Sequence, residues 1–84
     1  MAFYTYILQS QSSGHLYVGQ TQNLDTRLKI HNSGANKSTK GRGPWIVLHY
    51  QAFDSRIDSC GLERKLKSWK SKQMILKWIE AQAR

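Results

Sequence analysis

Acidic residues are scarce in this 84-residue chain: five Asp and Glu stand against thirteen Lys and Arg, a formal net charge of +8. Such an excess on so short a chain favours a polyanionic partner, with nucleic acid first and anionic lipid second. Cysteine is nearly missing. A lone Cys60 excludes a disulfide within the chain and a Cys-rich zinc site, and it reads as buried packing. No run approaches the ~20 apolar residues of a membrane span. The segment MAFYTYILQS lacks the basic start and long apolar core of a signal peptide. A cytoplasmic protein without membrane association is the expectation. The chain contains neither a G-x-x-x-x-G-K phosphate loop nor a recognisable Ser-His-Asp setting.

What is present suits one small folded domain spanning residues 1–84. A core of this size is only marginally stable alone, which leaves room for a homodimer. The charge is uneven. No acidic or basic residue other than His precedes Asp25, whereas Arg64 to Lys77 holds six basic residues and no acid. The binding footprint is therefore expected on the C-terminal half, helped by Lys37, Lys40 and Arg42.

Phe3 to Leu8 is aromatic and β-branched and predicts a strand; Leu16 to Gly19 predicts a second, with the turn-rich QSQSSG between them. An even loop would set Tyr6 opposite Gly19 and Leu8 opposite Tyr17. Tyr6 and Tyr17 would then be diagonal neighbours on one face, and an odd loop would part them. Asn23 caps a helix to about His31, ended by Asn32-Ser33-Gly34, with Leu24 and Leu28 facing the core. Arg27 and His31 fall one turn apart on a neighbouring stripe.

Residues 33–44 contain three Gly, one Pro and three basic residues, which predicts a mobile loop able to wrap a phosphate backbone. Trp45 to Phe53 is a third strand. Asp54 or Ser55 then caps a helix from Arg56 to Trp69. Its apolar stripe is Leu62, Leu66 and Trp69, extended by Ile57 and Cys60, and Gly61 inside it suggests a close packing contact. Ser71 caps a last helix with Ile75, Trp78 and Ile79 inward. The order ββαβαα describes an α+β fold, a small three-stranded antiparallel sheet flanked by helices.

Among polar candidates, His15 at the hairpin tip and His49 in mid-strand read as structural. Tyr4, Tyr6, Tyr17 and Tyr50 read individually as strand packing. Glu63 stands out: four of the next seven residues are Lys or Arg. It is either an i, i+4 ion-pair partner of Lys67 or a carboxylate placed among cations to anchor a divalent metal.

Tyr4-Thr5-Tyr6, ten residues, then Tyr17-Val18-Gly19 resembles the paired motif of the GIY-YIG nucleases. Asn23-Leu24-Asp25-Thr26-Arg27-Leu28 is similar to that family's next block, and Glu63 in LERKLKSW to its metal-binding glutamate. The small standalone bacterial members also share the Ser38-Thr39 loop and the Pro44-Trp45 strand start. Two departures are visible: the first motif reads Tyr-Thr-Tyr, and residues 70–84 lack an Asn that some members use.

The resemblance implies a DNA endonuclease of repair or recombination, structure-selective or weakly specific, using one Mg²⁺ or Mn²⁺ held by Glu63. It further implies that Arg27 stabilises phosphate charge, that Tyr6 or Tyr17 is the general base, and that His31 shares in proton transfer or phosphate binding. Lys37, Lys40, Arg42, Lys67 and Lys70 are candidate phosphate contacts. The alternatives are a non-catalytic nucleic-acid-binding module, an RNA-processing factor of the same fold, and delivery by a partner protein.

Overall fold

A computed structural model describes residues 2–82. The elements are β1 (Phe3–Ser10), β2 (Leu16–Thr21), α1 (Leu24–Ser33), β3 (Trp45–Phe53), α2 (Arg56–Trp69) and α3 (Lys72–Gln82). The sheet order is β2-β1-β3, antiparallel throughout, so the α+β expectation holds. The hairpin closes with Ser10 N–H donating to the His15 carbonyl at 2.9 Å, and Gly14 takes a left-handed φ of 79° in the turn. This turn selects the even register, with Tyr6 opposite Gly19 and Leu8 opposite Tyr17.

β1 is central and carries no charge, because both of its faces are covered. Tyr6 and Leu8 point to one side and join Trp45, Leu24 and Leu28 beneath α1. Ile7 points to the other and joins Val18, Leu66 and Ile75 beneath α2 and α3. The sheet thus separates two small cores. A register shift of β3 between the partners of Ile7 and Leu8 lets Leu48 join the second core.

The caps follow the sequence. Asn23 Oδ1 accepts from Thr26 N–H at 3.1 Å, Ser55 Oγ from Ile57 N–H at 3.1 Å, and Ser71 Oγ from Met74 N–H at 3.2 Å. Gly34 ends α1 in the left-handed region.

Several expectations need correction. Ile57 is 83% exposed and lies off the apolar stripe of α2. Five residues before Leu62 is about 140° around an α-helix, which points it outward. Cys60 is half-buried, and Tyr50 is 55% exposed rather than packed. Gly61 makes no close contact: a Cβ there would meet nothing within 4 Å. Gly61→Ala is therefore expected to stabilise the fold by about 1 kcal/mol, because helix propensity improves without any clash. Urea denaturation would show the midpoint rising at constant slope.

The 33–44 segment is tied down at several points. Gln11 N–H donates to the Pro44 carbonyl at 2.8 Å, Ser10 Oγ and Ser12 Oγ to the Arg42 carbonyl, and Trp45 Nε1–H to the Thr39 carbonyl at 3.2 Å. Asn32 clamps the start of β3, accepting from Trp45 N–H at 2.6 Å and donating to its carbonyl at 3.1 Å.

Candidate active site

The even register sets Tyr6 and Tyr17 on the α1 face with ring centroids 6.4 Å apart. Gly19 makes room for this. A Cβ at Gly19 would overlap Cζ and the hydroxyl oxygen of Tyr6 and sit 2.9 Å from its Cε2. The tyrosine ring therefore lies directly over the glycine backbone, and the need for glycine is one of space.

The last turn of α1 delivers His31 between the two rings. His31 is 1% exposed, and its ring centroid lies 4.8 Å from that of Tyr17 and 5.8 Å from that of Tyr6. Its Nε2 is 2.8 Å from the Tyr6 hydroxyl and its Nδ1 is 2.9 Å from Thr39 Oγ1. One turn earlier, Arg27 adds a cation to the same group. Burial pushes the Tyr6 phenol above its ordinary pKa; Arg27, by hydrogen bonding and charge, pulls it back, while Tyr17 and Glu63 push it up. Burial, then the Arg27 charge, lowers the His31 pKa, so the neutral imidazole prevails at pH 7.

Glu63 comes from α2, on the opposite side of the sheet. The site therefore wraps around β2, the edge strand. Glu63 Oε2 accepts from Lys67 Nζ at 2.9 Å, and Lys67 Nζ lies 6.0 Å from the Tyr17 ring centroid. The ion-pair reading of Glu63 therefore holds. Among the described residues no group of three or more His, Cys, Asp or Glu gathers. A lone carboxylate suits Mg²⁺, which keeps several waters and completes its shell with phosphate. Glu63 Oε1 makes no hydrogen bond among the described residues, so the donor is open.

A cleft of about 300 Å³ opens beside Tyr17 between the hairpin and the α2–α3 junction. It is lined by Lys67 and Lys70, as well as by His15 and Lys72, which the sequence reading did not include in a site. Lys37, Lys40 and Arg42 are exposed in the 33–44 segment, outside this cleft. Thr39 was also missed: a single Thr among polar residues has no periodic signal to mark it as buried. His49 behaves as the structural reading expects, stacking edge-on against Trp78 with centroids 5.3 Å apart.

Comparison with known proteins bears on the family and the fold. The family model described as the GIY-YIG catalytic domain matches residues 2–76. A UPF0213 protein of Staphylococcus haemolyticus is 35% identical over 78 residues, covering 92% of this chain and 93% of its own. A UPF0213 protein of Clostridium perfringens is 34% identical over 73 residues, covering 86% and 77%. The solution NMR structure of a UPF0213 protein from Bacillus halodurans superposes with a TM-score of 0.62 at 33% identity, covering 96% of this chain and 85% of that one. On this family match, these identities and this shared fold, the chain belongs to the GIY-YIG family, among its small UPF0213 members.

Proposed function

We propose that this protein is a metal-dependent endonuclease that hydrolyses phosphodiester bonds in DNA, with weak sequence specificity and a role in repair or recombination. The observation that carries the reading is convergence. Tyr6, Tyr17 and His31 gather on one face with Arg27 one helical turn from His31, and Glu63 on the other side of the sheet is linked to them through Lys67, whose Nζ is 2.9 Å from Glu63 Oε2 and 6.0 Å from the Tyr17 ring centroid.

In the reaction a water oxygen bonds to phosphorus while the bond from phosphorus to one ester oxygen breaks. Arg27 presents guanidinium donors to the charge that grows on the phosphate. The water's proton passes to a tyrosine oxygen as that phenol gives up its own proton, and the ester oxygen that leaves takes a proton from solvent. Tyr17 lines the cleft, whereas Tyr6 has an onward acceptor in His31 Nε2 at 2.8 Å. Glu63 would hold Mg²⁺ or Mn²⁺, which when bound polarises a phosphate oxygen and stabilises the leaving group.

The basic cleft supplies a path for the flanking backbone. Each phosphate contact adds a slope of about −0.9 to log affinity against log salt on duplex DNA. Replacing Lys70 and Lys72 together with Ala is expected to make that slope shallower by about 1–2. Fluorescence anisotropy across a salt series would measure it, and an unchanged slope would put the path elsewhere.

The test of function is cleavage of labelled plasmid, branched DNA and structured RNA with Mg²⁺ or Mn²⁺, and with excess chelator. Cutting of DNA that the chelator stops supports the proposal. Tight binding without cutting favours a binding module, preferential cutting of RNA favours an RNA-processing role, and cutting that survives chelation removes the metal.

A further inference from the structure

The most buried polar residue of the 33–44 segment is Thr39, only 1% exposed between exposed Ser38 and Lys40. Its Oγ1 has two neighbours: His31 Nδ1 at 2.9 Å and the Asn36 carbonyl oxygen at 3.4 Å. A carbonyl only accepts, so the Asn36 carbonyl, which already takes the Thr39 N–H at 3.2 Å, offers the Thr39 hydroxyl proton an acceptor away from the ring. With the proton there, the oxygen lone pairs are left for His31, and Nδ1 carries the ring hydrogen that meets them. A neutral imidazole has one such hydrogen, so Nε2 keeps its lone pair. The Tyr6 hydroxyl, 2.8 Å from Nε2, is therefore the donor.

We infer that Thr39 is a positioning residue that fixes His31 as its Nδ1–H tautomer, and so aims the Tyr6 proton at the imidazole. The chain runs one way, from Tyr6 O–H to His31 Nε2, from His31 Nδ1–H to Thr39 Oγ1, and from Thr39 O–H to the Asn36 carbonyl. In the opposite tautomer Nε2–H would donate to the Tyr6 oxygen and the phenol proton would lose its acceptor.

Thr39 is itself held in place. Its carbonyl accepts from Trp45 Nε1–H, and Trp45 is 3% exposed and clamped by Asn32. Lys37 and Lys40 flank it in the chain, so a phosphate backbone drawn to this segment would act on the residue that sets the tautomer. The functional meaning rests on the proposed hydrolysis; the tautomer itself does not.

Long-range ¹H–¹⁵N spectra of the His31 ring test the inference on wild type, Thr39→Val and Thr39→Ser, at a pH where the ring is neutral. The wild type is expected to show protonated Nδ1 and unprotonated Nε2. Thr39→Val should populate the Nε2–H form, and Thr39→Ser should restore the wild-type pattern. On any DNA that the wild type cuts, kcat should fall roughly tenfold in Thr39→Val, less than the ~10²-fold of losing an acid–base group because Tyr6 and His31 both remain, with KM little changed and Ser rescuing it. A wild-type ring protonated at Nε2 overturns the inference, as does a Thr39→Val ring that keeps the wild-type pattern. Should the wild type cut no DNA, the hydrolase reading falls while the ring spectra still decide the tautomer. Should Thr39→Val not fold, the wild-type and Thr39→Ser patterns decide it.

Discussion

Glu63→Gln is expected to lower DNA cleavage by about 10³-fold or more while leaving the fold intact, since losing a metal's charge stabilisation costs several kcal/mol of barrier. The side chain is the same size, and the Lys67 ion pair it weakens is exposed on the lysine side. Pairs of that kind contribute only a few tenths of a kcal/mol. Steady-state cleavage and circular dichroism on the same preparation check both halves, and cleavage at the wild-type rate would remove Glu63 from the site.

Gly19→Ala should do what Gly61→Ala does not. The added methyl falls on the Tyr6 ring and hydroxyl, and Tyr6 is 1% exposed with its hydroxyl bonded to His31. Either the ring tilts away and breaks the His31 contact, or β2 moves off β1. Overpacking of this kind costs about 1–3 kcal/mol. Loss of the Tyr6–His31 geometry should lower cleavage by about 10²-fold, the lower bound of a general acid–base contribution. In a Tyr6→Ala background the clash is gone, so Gly19→Ala should cost much less stability there than in the wild type, with no recovery of activity. Denaturant midpoints for the single and double variants would show this, and an unperturbed midpoint in Gly19→Ala would mean that the ring has room to spare.

The fold was largely legible because its elements carry strong local signals. Asn23, Ser55 and Ser71 are cap residues at helix starts, and Leu62, Leu66 and Trp69 recur at helical spacing. The tyrosine pair was legible only conditionally, since side-chain facing depends on loop parity and the turn at Gly14 decides that in three dimensions. Arg27 and His31 followed from one turn of helix. The errors have the same origin. Ile57 and Gly61 were assigned by residue type, although their angular position on α2 points them outward. Thr39, His15 and Lys72 are brought to the site by tertiary packing alone. Lys72 was legible only as one member of a basic run, and Thr39 only as part of a loop resembling the family's.

The division of the sheet into two cores sets an order of events during synthesis. Tyr6, Tyr17, Arg27 and His31 all leave the ribosome well before α2. Until Leu66 and Ile75 arrive, one face of β1 and β2 at Ile7 and Val18 has no cover, and Glu63 is not yet in place. A partly made chain can therefore hold the tyrosines, the arginine and the histidine without the carboxylate. Under the proposed chemistry the nascent chain stays inert until α2 and α3 dock, and finishing the fold is what arms it.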